Sequence, residues 1–217
     1  MTANEDVVEE LLRVHGRTYA SEAGIRLGRN TPAPLFQLLV LSLVSSARIR
    51  AEIAMSAAKA LFGDGLTTVQ KMADATWEHR TKVLNGSGYA RYDESTSRYL
   101  AATAETVLDR WNGDLRELRA AANGDPGTAT DLLTECKGIG PAGAQMFLRE
   151  VQNVWEEFDP FVDRRCRDVA ERMGLPASPT HLRELVDDRR DFVRLLDALV
   201  RCGLAGDEDV ILTRART

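Results

Sequence analysis

The sequence of 217 residues predicts an all-α fold. Nearly every segment repeats its apolar residues with the period of a helix rather than that of a strand. Threonine, aspartate or asparagine precedes several of these segments, and glycine or asparagine follows many of them, as at helix caps. A hydrophobic content of 44% is ordinary for a globular protein. The chain is long enough to bury a sizeable core, as one large domain or two small lobes.

The first part of the chain predicts an amphipathic helix, an irregular stretch and a buried helix. Residues 16–30 have only weak helical periodicity. A turn at residues 31–34 leads into residues 35–44, which are apolar almost all round and therefore indicate a buried helix. The first helix, which Asn4 is predicted to cap, carries an apolar stripe of Val7, Val8, Leu11, Leu12 and Val14.

The middle of the chain predicts helices separated by glycine, asparagine and threonine. Thr67, Thr76 and Asp114 are interpreted as N-caps, and Asn112-Gly113 ends the longest helix. Residues 123–127, which read N-G-D-P-G, are predicted to form a loop. The predicted helices span residues 49–62, 68–73, 77–84, 92–111 and 115–122.

A glycine hairpin comes next. A short apolar helix ends at Leu132-Leu133, Gly138-Ile139-Gly140 forms a turn, and Pro141 begins a new helix, where its missing N–H costs nothing. Glycines let the backbone approach a ligand closely, and the N–H groups of a helix start attract anions. This helix-hairpin-helix pattern predicts a phosphate clamp that reads no sequence, although glycines also end ordinary helices.

Asp163 lies 25 positions after Gly138 (163 − 138) and opens the next predicted helix, which extends to Met173. With Gly138-Ile139-Gly140, Ala144, Val162-Asp163 and the sequence R-M-G-L at 172–175, this arrangement resembles the helix-hairpin-helix (HhH-GPD) DNA glycosylases of the endonuclease III type. The resemblance begins near Pro32, and Gly88-Tyr89 stands where that family has a glycine turn. Two further helices are predicted, at residues 181–186 after Ser178 and at residues 192–202.

The resemblance implies a base-excision-repair enzyme with two helical lobes and a DNA-binding cleft between them. Residues 31–149 map to the central lobe that ends in the hairpin, and residues 1–30 with 150–217 map to the second lobe. Asp163 is then the catalytic carboxylate at the floor of the cleft. Alternatively, Asp163 serves only as the N-cap of its helix, and both roles are compatible. Asp159, four residues earlier, is interpreted as the start of a turn at Pro160.

The resemblance also implies DNA contacts. Arg48 stands where the family has a glutamine that fills the gap left by a flipped base. Candidate base-pocket aromatics are Tyr89, Trp155 and Phe161, although each such side chain is more often part of the core. Backbone carbonyls of Thr134, Cys136 and Ile139 are candidate ligands of a monovalent cation. The predicted DNA-binding residues are Lys137, Gly138, Ile139, Gly140, Ala142, Arg48, Arg164 and Arg165.

Two departures from the family shape the expected chemistry. The chain lacks the clustered cysteine ligands of an iron–sulfur cluster, so none is expected and no cofactor is required. Where bifunctional members have a lysine that attacks the sugar, this chain has Ala142. The expected activity is therefore that of a monofunctional glycosylase, which hydrolyses the N-glycosidic bond of a damaged or mispaired base. The alternatives are a non-catalytic DNA-binding protein that keeps the hairpin, and a glycosylase with lyase activity through Lys137 or the N-terminal amine.

Charge and cysteine content bear on partners and location. The net charge of −5 argues mildly against nucleic-acid binding, but acidic residues crowd the two ends and basic residues recur near Asp163. Three widely spaced cysteines suggest reduced thiols in a cytoplasmic protein. No apolar run is long enough to span a bilayer. The expected partner is double-stranded DNA with a damaged base, bound by a monomer.

Overall fold

A computed structural model describes residues 3–216, and within this range it contains helices and no strand, which confirms the all-α prediction. Two short 3₁₀ helices, Leu27–Arg29 and Glu156–Phe158, interrupt the α-helices. The α-helices are α1 (Ala3–His15), α2 (Tyr19–Glu22), α3 (Pro32–Ser45), α4 (Ala51–Gly63), α5 (Val69–Asp74), α6 (Trp77–Gly86), α7 (Asp93–Trp111), α8 (Leu115–Ala122), α9 (Pro126–Thr134), α10 (Pro141–Val151), α11 (Arg164–Arg172), α12 (Pro179–Arg183), α13 (Arg189–Ala205) and α14 (Glu208–Arg214).

Several predicted caps are confirmed and two are wrong. Thr76 caps α6 by accepting a hydrogen bond from the His79 N–H, and Asp114 caps α8 in the same way. For α5 the capping hydroxyl is that of Thr68, because it reaches the Lys71 N–H, and not that of Thr67. Asn4 does not cap α1, because the helix already includes Ala3.

Several helices differ from the sequence prediction. Helix α12 spans Pro179–Arg183 rather than residues 181–186, and α2 lies in the stretch predicted to be irregular. The loop predicted at residues 123–127 ends early, because the Asp125 carboxylate accepts a hydrogen bond from the Thr128 N–H and Pro126 occupies the first turn of α9. Helix α14 was not predicted at all. The acidic residues in the first turn of α14 favour a helix start, and Ile211 is the residue of this helix that is buried.

Helix α3 is the centre of the core. Ten of its fourteen residues are buried, so it is surrounded on all sides as its apolar sequence predicts. It packs against α4, α7, α8 and α10. Because α10 also packs against α9 and α13, the hairpin helix is held between the centre of the protein and its C-terminal helices.

The two ends of the described chain pack together. Helix α1 lies against α13 and α14, and α11 also packs against α13. Within residues 3–216, no helix combines the length and the apolar character that crossing a membrane requires.

Candidate active site and nucleic-acid interface

The hairpin between α9 and α10 has a defined conformation. Gly138 has a φ of +92°, and a Cβ at this position would lie 2.9 Å from side-chain atoms of Tyr99, so both the backbone and the packing require glycine. The Ile139 N–H donates to the Cys136 carbonyl at 3.0 Å. The Thr103 hydroxyl donates to the Lys137 carbonyl at 2.9 Å, which ties the turn to α7.

The first turn of α10 is accessible on one side and tightly packed on the other. Gly140 has an ordinary backbone conformation, and a Cβ built on it meets no atom within 4 Å. A Cβ on Gly143 would lie 2.4 Å from the Ser46 hydroxyl oxygen, so glycine lets the end of α3 approach α10 closely. Glycine at 140 therefore leaves open space beside the backbone, whereas glycine at 143 serves helix packing.

Asp163 uses both carboxylate oxygens. Oδ1 accepts a hydrogen bond from the Cys166 N–H at 2.9 Å, so Asp163 is the N-cap of α11 as predicted. Oδ2 accepts a hydrogen bond from Arg149 Nη1 in a buried ion pair. Only 3% of Asp163 is exposed. Burial acts to raise the pKa of Asp163, but the Arg149 charge and the hydrogen bonds from Cys166 and Arg149 outweigh it and lower this pKa below its ordinary value.

Arg149 joins Asp163 to a second buried carboxylate. Its Nε donates to Asp197 Oδ1 at 2.7 Å, and Asp197 Oδ2 accepts the Tyr19 N–H at 2.9 Å. Burial acts to lower the pKa of Arg149, but Asp197 and Asp163 raise it well above its ordinary value. The guanidinium is therefore a permanent charge that holds the carboxylate of Asp163 ionised and in one orientation.

Glu150 extends this buried group. Its Oε1 accepts the Ala20 N–H at 2.9 Å. Burial and the neighbouring Asp197 raise the pKa of Glu150 well above its ordinary value. Helices α10 and α13 and the segment at residues 19–20 are thus joined by buried polar contacts.

Asp163 and Arg149 line a cavity of about 850 Å³. One wall comes from α10, through Ala142, Gly143, Gln145, Met146 and Arg149, whose spacing places them on one face of the helix. The rest of the lining comes from Tyr19, the end of α3, the loop at residues 46–50, the starts of α4 and α11, and the C-terminal part of α13. Four exposed arginines stand among the lining residues: Arg48, Arg50, Arg164 and Arg165.

The structure brings together part of the predicted site. Asp163, Ala142, Arg48, Arg164 and Arg165 all line this cavity. Residues 137–140 of the hairpin lie at the N-terminal end of the same helix, α10, but they do not line the cavity. Lys137 is exposed there, Ile139 is buried, and Gly138 and Gly140 are half-buried. Asp159, which the sequence predicts at the start of a turn, accepts a hydrogen bond from Arg183 and does not line the cavity.

The three candidate base-pocket aromatics do not line the cavity. Tyr89 and Trp155 are completely buried in the core, where the Tyr89 hydroxyl donates to the Val44 carbonyl and Trp155 Nε1 donates to Asn30 Oδ1. Phe161 is half-buried beside α10, and its N–H donates to Gln152. The aromatic side chain that lines the cavity is Tyr19, whose ring lies beneath the guanidinium groups of Arg149 and Arg201.

Sequence reasoning missed Arg149, Asp197 and Tyr19. A signal was present in the helical pattern, since an arginine at 149 falls on the same face of α10 as Ala142 and Met146. For Asp197 there was a similar hint, because it interrupts the apolar stretch from Phe192 to Val200. Nothing in the irregular sequence around Tyr19 pointed to the cavity.

The cysteines are buried and separate. Burial, with Glu135 nearby, raises the pKa of Cys136 to about 12, and burial with Glu208 raises the pKa of Cys202 to about 11. Burial raises the pKa of Cys166 as well. All three are neutral thiols. Within residues 3–216, no group of three or more histidine, cysteine, aspartate or glutamate side chains is placed to hold a metal ion.

The chain has four lysines, Lys59, Lys71, Lys82 and Lys137, and none of them lines the cavity. The N-terminal amine belongs to Met1 and lies outside the described residues.

Comparisons with known proteins do not assign the chain to a family. No family model matches it, and no curated protein is significantly similar to it.

Proposed function

We propose that this protein is a monofunctional DNA glycosylase that hydrolyses the N-glycosidic bond of a damaged or mispaired base in duplex DNA. One observation carries the proposal. The buried, ionised carboxylate of Asp163 and the face of the hairpin helix α10 share one cavity, which has exposed arginines among its lining residues. A hairpin that can hold phosphates and a carboxylate that can act on a sugar are two parts of a base-excision enzyme, and the cavity offers space for the flipped base that such an enzyme also holds.

In this proposal DNA lies across the cavity, between a central lobe of residues 31–149 and a second lobe of residues 1–30 with 150–217. The packing of α1 against α13 and α14 supports the second lobe. Arg164 and Arg165 contact phosphates. Arg48 enters the space left by the flipped nucleotide, and its exposed position in the loop after α3 suits this role. The hairpin holds a further phosphate, and the backbone carbonyls of Thr134, Cys136 and Ile139 would hold a monovalent cation that attracts it.

The chemistry follows from the state of Asp163. When the N-glycosidic bond breaks, the electron pair of that bond leaves with the base, and positive charge grows on the sugar. An ionised carboxylate beside the sugar stabilises that charge. Because both oxygens of Asp163 already accept hydrogen bonds and its pKa is lowered, it is a weak base, and electrostatic stabilisation is its main role. Water then adds to C1′ and loses its proton to solvent. Arg149 is the positioning residue.

The product of this reaction is an abasic site in an intact strand. A lyase step needs a neutral amine that reaches C1′. The four lysines lie away from the cavity lining, and Ala142 has no nucleophile. Incubation of protein and lesion DNA with borohydride tests this point. A trapped covalent adduct, or strand nicks without alkali, would show a bifunctional enzyme. If the adduct is lost in Lys137→Ala, the attacking amine is that of Lys137.

The proposal as a whole is tested by incubating the protein with duplexes that each carry one lesion or mismatch and scoring alkali-labile sites. Asp163→Asn is the matched control, since it keeps the size of the side chain. Alkali-labile sites that appear with the wild type and not with Asp163→Asn are expected. If binding to duplex DNA is found and no substrate gives alkali-labile sites, the alternative of a non-catalytic hairpin DNA-binding protein is preferred.

A further inference from the structure

The protein has a second cavity of about 550 Å³. Residues between Gly16 and Gly28 form one wall, and the first turns of α13 together with Glu150 and Asn153 form the other. It shares no lining residue with the Asp163 cavity. The proposed glycosylase chemistry makes no use of it.

Four arginines line this second cavity, and they come from three separate segments: Arg17, Arg26, Arg190 and Arg194. Arg194 is engaged, since it pairs with Asp191 and donates to the Gly16 carbonyl. Arg17, Arg26 and Arg190 are exposed, and their side chains have no ion pair or hydrogen bond with any residue from 3 to 216. Three of the arginines that line this cavity therefore have guanidinium donors that no residue from 3 to 216 uses.

This lack of partners is not general among the surface arginines of the protein. Arg116, Arg119 and Arg172, for example, each bind a carboxylate at 2.5 to 2.7 Å. The carboxyl group among the lining residues belongs to Glu150, which is buried and accepts the Ala20 N–H. The lining thus includes four arginines and one carboxyl group, and of these arginines Arg194 alone is paired within residues 3–216, with Asp191, so the concave low-dielectric wall focuses a positive charge.

The lining selects the chemistry of a ligand. A guanidinium presents a planar fork of donors that matches phosphate and carboxylate oxygens. Several such forks in one cavity supply more positive charge than a single carboxylate balances, so a phosphate with two negative charges fits better. Ile25, Leu27 and Val193 add an apolar surface. The volume is within the usual range for small-molecule sites, roughly 300–1,000 Å³.

We propose that the second cavity is a binding site for a phosphate-bearing ligand, held by Arg17, Arg26, Arg190 and Arg194. The phosphate comes from a free phosphorylated small molecule or from a nucleic-acid strand. The site stands independently of the glycosylase proposal, because it uses none of the same residues.

Calorimetric titration of the full-length protein with sodium pyrophosphate tests the site, at constant ionic strength set with sodium chloride. Sodium acetate is titrated in parallel as a carboxylate. The test variant is Arg17→Ala/Arg190→Ala, and Arg216→Ala is the matched control, because Arg216 is an exposed arginine that lines neither cavity. The thermal unfolding of the double variant should match the wild type, since neither guanidinium has a partner in the described part of the chain.

Saturable binding of pyrophosphate is expected, with a Kd that rises at least about tenfold in the double variant, since hydrogen bonds to charged groups are strong. Arg216→Ala and Asp163→Asn should leave this Kd unchanged. Absence of saturable binding, equal binding of acetate, or an equal loss in Arg216→Ala would overturn the site. Competition by an undamaged duplex assigns the phosphate to a DNA strand, and binding without such competition assigns it to a free ligand.

Discussion

At the level of single residues, Asp163 combines a structural and a proposed chemical role. Its Oδ1 caps α11 and its Oδ2 pairs with Arg149. The two interpretations offered by the sequence, helix cap and catalytic carboxylate, are therefore compatible in one side chain. They are separable by experiment, because asparagine retains an oxygen for the cap and loses the negative charge.

Asp163→Asn should lower the rate of base release by roughly 10²-fold or more, as for the loss of a group that stabilises transition-state charge. Affinity for lesion duplex should stay the same or rise, because a negative charge near DNA is removed. Single-turnover base release and fluorescence anisotropy measure the two effects. Parallel losses of turnover and affinity would point instead to a misfolded α11, which circular dichroism checks.

Arg149→Met should move the acid limb of the pH–rate profile. With Arg149 present, the pKa of Asp163 is lowered, so the carboxylate stays ionised, and activity persists, into acid below the ordinary carboxyl range. Without the guanidinium, burial is unopposed by that charge and the pKa rises, so activity should fall at a higher pH than in the wild type. Arg149→Lys keeps the charge and should shift the limb less.

Base release by Arg149→Met, Arg149→Lys and the wild type over a pH series tests this. Arg167→Met is a suitable control, since Arg167 is exposed and lines neither cavity. Superimposable acid limbs in active Arg149→Met and wild type would refute the positioning role.

Glu150→Gln should stabilise the protein increasingly as pH rises. Burial raises the pKa of Glu150, so the folded protein binds a proton that the unfolded chain has released above its ordinary pKa near 4.3. The contribution of Glu150 to the free energy of unfolding is therefore greatest below about pH 4.3, and it is lost as the pH rises toward the pKa of Glu150 in the folded protein. Between the two pKa values the free energy of unfolding falls by up to about 1.4 kcal/mol per pH unit. Glutamine does not titrate, so the variant does not lose this stability.

Thermal unfolding of wild type and Glu150→Gln at pH 5 and pH 8 measures this difference. The variant's gain in Tm should be larger at pH 8. An equal difference at both values would mean that Glu150 is ionised in the folded protein.

At the level of elements, the hairpin contains two glycines whose substitution should have opposite consequences. Gly140→Val should leave the fold largely intact, because the backbone conformation is ordinary and the Cβ meets open space. It should weaken DNA binding about tenfold or more, because the side chain blocks approach of a phosphate to the backbone. Gly138→Ala should mainly lower Tm, because φ is +92° and Tyr99 occupies the space.

Anisotropy with undamaged duplex and thermal unfolding, applied to both variants, separate the effects. Unchanged DNA affinity in a folded Gly140→Val variant would remove the hairpin from the interface.

Most helix positions were predictable because their signals are local. Thr76, Asp114 and Asn112 act within one turn of their own helix, so sequence alone placed them. Thr67 and Thr68 are adjacent threonines, and only three-dimensional geometry decides which hydroxyl reaches the Lys71 N–H. Helix α14 was missed because an acidic segment near a chain end is typical of both a solvated tail and a helix start.

The site was predictable only in part for a related reason. Asp163 was found through a motif of short span. Arg149 was not, because its role depends on Asp197, 48 residues away, and Asp197 in turn binds a backbone N–H 178 residues away. Helical periodicity places Arg149 on the same face of α10 as Ala142 and Met146, but it does not show which distant carboxylates the guanidinium binds. For the same reason Tyr19 could not be assigned to the cavity, and sequence alone left Trp155 between the pocket and the core, where the structure places it.

At the level of the whole molecule, charge distribution matters more than net charge. The chain carries a net charge of −5, yet Arg48, Arg50 and Arg165 line the Asp163 cavity exposed and without an ion pair inside residues 3–216. A protein of this kind should bind undamaged duplex without sequence preference and more weakly as salt rises, because phosphate contacts release counterions.

Affinity for several undamaged duplexes over a salt series tests this. Each phosphate contact contributes about −0.9 to the slope of log K against log salt, so Arg165→Ala should reduce the slope by about one unit. Arg216→Ala should leave it unchanged. A flat salt response, or strong preference for one undamaged sequence, would contradict the proposed interface.

The contact between the Tyr19 N–H and Asp197 also bears on the order of folding during synthesis. The ribosome adds Asp197 178 residues after Tyr19, so this bond forms only after that stretch has been made. Arg149 meets Asp163 after only 14 more residues, but its second carboxylate emerges with α13. A nascent chain can therefore form the hairpin before it can complete the surroundings of Asp163. Under the proposed function, an unfinished chain on the ribosome is able to hold phosphates but not yet to release a base.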